Sequence, residues 1–226
     1  MVGLVALVLL TSVSPDSGAA AVLRRLDAAF GGIRDLTVNL HVVANIERLS
    51  VPPMDAKLFF KQPDKVHLES KGFALVPREG IAMAFGKLSE RFTAESCVRD
   101  TLNGEEVQKL ILVPRQGRTR LRQAIVLVDP RTGAARRYQL TTSDGRSVTV
   151  DVTWERSGEA WLPSVVRVTL PPSSADTGEA GPPQGDLPPL VRRGNAHAGT
   201  VEIRFSEYQL NTGLSDDLFG AESRQP

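Results

Sequence analysis

The sequence predicts a mainly β protein of the α+β class, an antiparallel meander of short strands with an N-terminal helix and one further short helix. Short runs of alternating apolar and polar residues follow one another along most of the chain. Turn sequences such as Asn103-Gly104 and Asp144-Gly145 separate these runs, and such dipeptides are typical of hairpins. Close turns leave no room for the crossovers that parallel strands need. A chain of 226 residues is long enough for one domain with a sizeable core.

The first 21 residues, MVGLVALVLLTSVSPDSGAAA, predict an export segment. An apolar run from Gly3 to Leu10 has the length of a signal-peptide core, and small residues suited to cleavage follow from Ser17 to Ala21. The run is too short to span a bilayer. Basic residues are missing before the apolar core, so the segment would belong to a longer signal. A buried N-terminal strand or helix is the alternative interpretation, and residues 22–226 are predicted to form one domain.

The helix and the first strand follow directly after this segment. In VLRRLDAAF, apolar residues recur at helical spacing from Val22 to Phe30, and Gly31-Gly32 ends the predicted helix. In LTVNLHVVANIE, apolar and polar residues alternate as in a strand with one buried face. Further strands are predicted at AKLFFKQ, KVHLES, EEVQKLILV, QAIVLVD, ARRYQLTT, SVTVDVTW, SVVRVTL and VEIRFSEYQL.

Two stretches fit the strand pattern less well. Residues 80–102, GIAMAFGKLSERFTAESCVRDTL, are predicted to contain a short helix, with Leu88, Phe92 and Cys97 facing inward. Residues 171–199 are rich in Pro, Gly and Ser, which predicts a long disordered loop between two strands. Too little chain follows Gly199 for a second domain. The last strand should therefore return to the same sheet, and the tail through Phe219 should pack against it.

Composition and motifs argue against several function classes. The formal net charge is +1 and aromatic residues make up 5%, so neither attraction to nucleic acid nor base stacking is expected. His41, His67 and His197 share no metal-ligand spacing, and the first two fall on polar strand positions where exposure is expected. The lone Cys97 is interpreted as structural. The sequence contains no nucleophile elbow, phosphate loop or dinucleotide fingerprint. We therefore expect no metal, no cofactor and no enzymatic activity.

A sheet with one apolar face has to bury that face. Two helices would cover it only in part, which predicts a concave apolar space suited to an acyl chain. The same pattern also allows a fully packed core, and a phase error of one residue would exchange interior and exterior. The residues expected to line the space, with the last two on a covering segment, are Leu40, Val42, Leu58, Phe60, Val66, Leu68, Val126, Val128, Val166, Val168, Met83 and Phe85.

Three segments resemble the periplasmic lipoprotein carriers of the LolA-like family. VLRRLDAAFGGIRDLTVNLHV is similar to that family's opening helix and first strand. KLFFKQPDKVHLES looks like its strand, turn and returning strand, and VEIRFSEYQLNTGLSDDLF resembles its closing segment. The resemblance implies an incomplete, strongly curved antiparallel β-barrel, capped by helices, that holds the acyl chains of a lipoprotein or lipid cargo. It also implies an inner-membrane donor complex and an outer-membrane receptor. We expect a soluble, exported, periplasmic monomer.

The resemblance also identifies a possible gate. Carriers of this family have an arginine before the Pro-Asp turn that helps to hold the closed state and control release. The matching residue here is Gln62. A neutral amide can donate hydrogen bonds but lacks the charged fork of arginine. The sequence therefore leaves open whether this chain uses the same gated release.

Two other functions stay open at this stage. The same curved sheet could serve as a lipid-sensing or lipoprotein-sensing interaction domain, as in envelope-stress regulators that resemble the carriers. An enzyme on this fold would need polar groups to converge in its interior, and His41, Glu69 and Asp151 are the candidates.

Overall fold

One ten-stranded antiparallel sheet forms the framework of the molecule. The computed structural model describes residues 16–70, 85–115, 121–158, 160–171 and 198–220. Helices span Asp16–Ala29 (α1) and Leu88–Arg91 (α2), and a 3₁₀ helix spans Asp216–Phe219. The strands span Asp35–Ile46 (β1), Met54–Lys61 (β2), Lys65–Ser70 (β3), Phe92–Leu102 (β4), Glu105–Pro114 (β5), Leu121–Val128 (β6), Ala135–Thr142 (β7), Ser147–Ser157 (β8), Ala160–Leu170 (β9) and Gly199–Leu210 (β10).

The strand order makes the sheet an open barrel. The strands follow one another as β3-β2-β1-β10-β9-β8-β7-β6-β5-β4, so two meanders are joined where β10 pairs with β1. The edge strands β3 and β4 do not pair with each other among the described residues. Helix α1 packs against β4 and β5. The predicted fold, an incomplete curved antiparallel barrel with an N-terminal helix, is confirmed.

Strand β4 corrects the interpretation of residues 80–102. Among the described residues of this region, the helix α2 has four residues, and the chain enters β4 at Phe92. Leu88 and Phe92 are buried as expected, whereas Cys97 is half-buried against the core. A register shift between Ala94 and Ser96 moves the inward positions by one residue. The simple alternation of a strand is therefore interrupted within β4.

Helix α1 begins inside the predicted export segment. Its first residue is Asp16, and Ala19 has no exposed surface. Residues 1–15 lie outside the described part, and the export role of residues 1–21 stays a prediction. Helices in the described ranges are all too short or too polar to cross a membrane.

Strand β10 returns to the sheet as predicted and closes the core. It pairs with β9 on one side and β1 on the other, starting from Gly199 opposite Ile46. A Cβ atom on Gly199 would lie 2.5 Å from the Asn45 carbonyl oxygen, so the close approach of β1 and β10 requires glycine here. The predicted loop is shorter at this end, since Gly199 belongs to the strand, and residues 172–197 lie outside the described part.

Candidate functional site

The residues predicted to line an apolar space face the interior of the sheet. Eight are at most 8% exposed: Leu40, Val42, Leu58, Phe60, Phe85, Val126, Val128 and Val166. Val66, Leu68 and Val168 are half-buried and pack against the same core. The strand phase inferred from alternation is therefore correct at each described position. Met83 lies outside the described residues, and the binding of a ligand by this set stays a prediction.

The described interior is packed rather than hollow. Leu58, Val126 and Val128 have no accessible surface, so no water-sized space borders them. A small, partly open space between α1, α2, β7 and β8 has a volume of about 10 Å³, the space of one water molecule. An acyl chain can therefore enter this part of the interior only if side chains move.

Phe85 fills the centre of the interior. Its ring is 2% exposed and lies 5.6 Å from the Phe30 ring and 5.8 Å from the Phe60 ring, measured between centroids. Phe205 of β10 adds a third contact at 6.3 Å. Aromatic pairs at such separations contribute beyond the area they bury. One ring thus joins the residue after α1 to β2 and β10, at the position where a ligand would compete with it.

Two polar contacts fasten the segment that follows Phe85. The Asp27 carboxylate, half-buried on α1, accepts hydrogen bonds from the backbone N–H groups of Leu88, at 2.7 Å, and Ser89, at 3.2 Å. It supplies the cap that the first turn of α2 lacks from its own Lys87. Arg115 donates from Nε to the carbonyl oxygens of Ser89 and Phe92. We call residues 85–91 the cover, because they close the inner face of the sheet.

Gln62, the possible gate, holds the end of α1 to the end of β2. Its Nε2 donates to the carbonyl oxygens of Phe30, at 3.1 Å, and Ile33, at 2.7 Å. Its backbone N–H donates to the Arg34 carbonyl oxygen at 2.9 Å. The neutral amide therefore makes hydrogen bonds to the chain that connects α1 and β1. Whether these bonds control release stays a prediction.

The closing segment is tied to the start of β1 through Asp35. This carboxylate is 4% exposed and accepts from the backbone N–H groups of Thr212, at 2.7 Å, and Gly213, at 3.1 Å. The Asn211 side chain accepts from the Arg34 N–H and donates to the Gly32 carbonyl oxygen. The turn after β10 thus holds the C-terminal end of the sheet to the start of β1. The following 3₁₀ helix is only half-buried, so Phe219 does not enter the core.

Polar candidates for chemistry lie away from the interior. His41 pairs with Asp55 at 2.7 Å, Glu69 lies 3.7 Å from His67, and Asp151 pairs with Arg137 at 2.6 Å. These groups occupy the strand positions opposite to the buried ones, so the three candidates do not converge in the interior. In the described residues no group of three or more His, Cys, Asp or Glu side chains could hold a metal ion.

The expectation that His67 is exposed needs adjustment. The His67 side chain is only 15% exposed, because it packs beside the Phe59 ring on the outer face.

Burial raises the pKa of the Cys97 thiol, which keeps it protonated and fits a structural role. Burial likewise raises the pKa of the Tyr208 hydroxyl, which donates to the Pro163 carbonyl oxygen at 2.6 Å.

Sequence reasoning missed the roles of Asp27 and Asp35. The helical and strand patterns assign no role to either carboxylate. Their partners lie 61 and 177 residues away along the chain, so no local pattern identifies them. The only available signal was an acidic residue beside an apolar run in each segment.

Comparisons with known proteins define the fold. No protein-family model matches the sequence, and no curated protein matches it. The structure of a LolA superfamily protein from Nitrosomonas europaea aligns over 89% of this chain and 96% of its own, with a TM-score of 0.66 and 10% identity. The chain has the fold of the LolA superfamily. The predicted resemblance to LolA-like proteins is thereby confirmed at the level of fold.

Two further solved structures support the LolA fold. A domain of an outer membrane lipoprotein-sorting protein from Vibrio parahaemolyticus aligns over 88% of this chain and 94% of its own, with a TM-score of 0.61 and 11% identity. A DUF1329 family protein from Desulfovibrio piger aligns over 93% and 99%, with a TM-score of 0.65 and 14% identity. In this LolA fold, Phe85 and its cover occupy the concave side of the sheet.

Proposed function

We propose that the protein is a periplasmic carrier that binds the acyl chains of a lipoprotein inside its curved sheet and carries them towards the outer membrane. The observation that supports this most is the apolar inner face of the sheet, at whose centre the cover places one ring, Phe85. The fold is shared with a domain named for lipoprotein sorting. Binding and release make and break no bond, so the proposal requires no catalytic residue, metal or cofactor.

Loading requires the cover to move, because the described interior is packed. Exposing a buried phenylalanine costs about 2–3 kcal/mol, whereas an acyl chain gains about 0.8 kcal/mol for each methylene that it buries. A chain that buries ten methylenes gains roughly 8 kcal/mol on the same scale. The ligand can therefore compensate for the displaced ring and for part of the rearrangement of the cover.

Release would depend on partners that move the cover. An inner-membrane donor complex and an outer-membrane receptor are the expected partners, with the protein itself as a soluble monomer. The hydrogen bonds of Asp27 and Gln62 end on backbone groups of the cover and of the α1–β1 connection. A partner that competes for these backbone groups would change the balance between the closed and the loaded state.

The proposal is tested with the protein isolated from its periplasm under mild conditions. Native mass spectrometry should show a bound mass that matches a lipid or an acylated protein. A fluorescent fatty-acid probe, titrated into the emptied protein, should give saturable binding. A protein that stays empty in the presence of lipoprotein, and binds none of several probes, would overturn the carrier proposal. Capture of a membrane-protein domain without lipid would then favour a sensing or interaction domain.

A further inference from the structure

A second concave surface lies on the strands next to the sheet edge. It is an open groove of about 660 Å³ across β1, β2, β3 and β10, within the volume range of ligand-binding clefts. In contrast to the packed interior, its lining combines polar side chains with apolar surface, to which Leu40 and Ala56 contribute. The polar side chains along it include Asn39, His41, Asp55, Lys57, Glu69 and Ser206.

Strand register explains why these groups assemble. Asn39 lies opposite Lys57, which lies opposite Glu69, and His41 lies opposite Asp55. These positions alternate with the buried ones, so their side chains occupy the outer face of the sheet. An irregularity between β1 and β10 adds Glu207, whose carboxylate accepts a hydrogen bond from Asn39 Nδ2 at 2.7 Å. The groove is therefore a consequence of the pairing and not of one flexible side chain.

The charge of the groove is negative although the whole chain has a formal charge of +1. Asp55, Glu69 and Glu207 bring three carboxylates, and the Asp55 and Glu69 side chains are 87% and 56% exposed. Lys57 brings one ammonium group, which lies 5.6 Å from the centre of the Phe59 ring. Among the Asp, Glu and Lys side chains that line the groove, the two carboxylates of Asp55 and Glu69 outnumber the single ammonium group of Lys57. Glu207 lies beside Asn39, and Arg204 of β10 lies opposite His41. This surface favours a cationic partner and disfavours phosphate groups.

The groove is also within reach of the interior. Strand β3 is an edge of the sheet, and Ser70 at its end lines the groove. Val66 and Leu68 of the same strand pack against the core, so β3 borders both the interior and the groove. Groove-lining amide and hydroxyl groups, such as those of Asn39 and Ser206, can bond to the backbone of an extended peptide.

We propose that this groove binds an extended basic segment of the cargo polypeptide, with a Lys or Arg side chain between Asp55 and Glu69. The inference rests on the proposed carrier function, because it takes the acylated protein as the partner. The acyl chains would occupy the interior, and the polypeptide attached to them would follow the outer face of β1–β3. Recognition of both parts would select a lipoprotein over a free lipid.

The test uses the full chain and a fluorescent, non-acylated peptide of eight residues that contains two lysines. Fluorescence anisotropy should show saturable binding that weakens as salt is added. The Asp55→Asn/Glu69→Gln variant should bind about tenfold more weakly, as expected for two exposed charge pairs. Asp100→Asn/Glu106→Gln, at the β4–β5 edge, makes the same charge change as a matched control and should bind like the wild type. A peptide with glutamine in place of lysine should bind the wild type weakly.

Each outcome separates the groove from the interior. Unchanged lysine-peptide binding by Asp55→Asn/Glu69→Gln, or an equal loss in the control variant, would overturn the groove assignment. Uptake of the fatty-acid probe without any peptide binding would overturn the groove proposal alone. Binding of the lysine peptide without probe uptake would leave the groove as a peptide site and overturn the carrier function and the identification of its partner as cargo.

Discussion

Substitution of Phe85 by alanine would empty the centre of the described interior. The ring is 2% exposed and contacts Phe30, Phe60 and Phe205 at centroid separations of 5.6, 5.8 and 6.3 Å. Truncation of a buried phenylalanine lowers the free energy of unfolding by about 3–5 kcal/mol. We expect the free energy of unfolding to fall by about 3 kcal/mol, because the short cover can move into part of the space that the ring leaves.

The same substitution should increase the affinity for a fatty-acid probe. In the wild type, the probe has to displace the ring, and the burial of that ring contributes about 2 kcal/mol to the closed state. Removing this competition should raise the apparent affinity by about 30-fold. Phe59→Ala is the matched control, because it removes the same ring from the outer face of β2, where Phe59 packs beside His67.

Probe titration and urea denaturation of the wild type, Phe85→Ala, Phe85→Leu and Phe59→Ala test this reasoning. Phe85→Ala should bind more tightly and unfold more easily, while Phe59→Ala should bind like the wild type. Phe85→Leu should fall between the wild type and Phe85→Ala in both measurements. If Phe85→Ala lost stability but bound the probe no better than the wild type, the ring would have a packing role only, and the reasoning about a displaced ring would be refuted.

Three further substitutions test the contacts around the interior. Asp35→Ala removes the charged acceptor of two backbone hydrogen bonds and should cost about 3 kcal/mol in urea denaturation, and a loss below about 1 kcal/mol would contradict its role in holding the turn after β10. Gly199→Ala brings a Cβ atom to 2.5 Å from a backbone oxygen and should cost about 2 kcal/mol, whereas Gly32→Ala, with open space around it, should cost little. Gln62→Leu removes two hydrogen bonds, so we expect a loss of about 1–2 kcal/mol and faster release of the probe in stopped-flow chase. Unchanged release would argue against a gate.

Most of the fold prediction rests on the alternation of apolar and polar residues, because the side-chain period of a strand is a local property. In β1, the sequence from Val38 to Ile46 shows which side is buried, and the structure agrees. Strand β4 was missed for the same reason. Its inward positions shift at Ala94–Ser96, so FTAESCVRDTL does not alternate over its full length.

The state of the interior could not be read from the sequence. A packed core and a ligand cavity require the same apolar residues at the same strand positions. The difference lies in whether a ring such as Phe85 enters from another segment, and that depends on tertiary contacts. The hydrogen bonds of Asp27 with α2 and of Asp35 with the turn after β10 are equally long-range, because each carboxylate binds backbone groups far along the chain.

The interior and its cover use different interactions, and this division suits reversible binding. The apolar contacts of Phe85 are non-directional, so an acyl chain can replace them. Asp27 accepts a hydrogen bond from the cover, and Arg115 donates one to it. These bonds are directional, and an acyl chain has no group that could replace them. A bound acyl chain therefore compensates for lost packing but not for lost hydrogen bonds. These hydrogen bonds favour the closed position of the cover once the acyl chain has left. Variants of Phe85 should then act mainly on uptake, and variants of the hydrogen-bonded residues mainly on release.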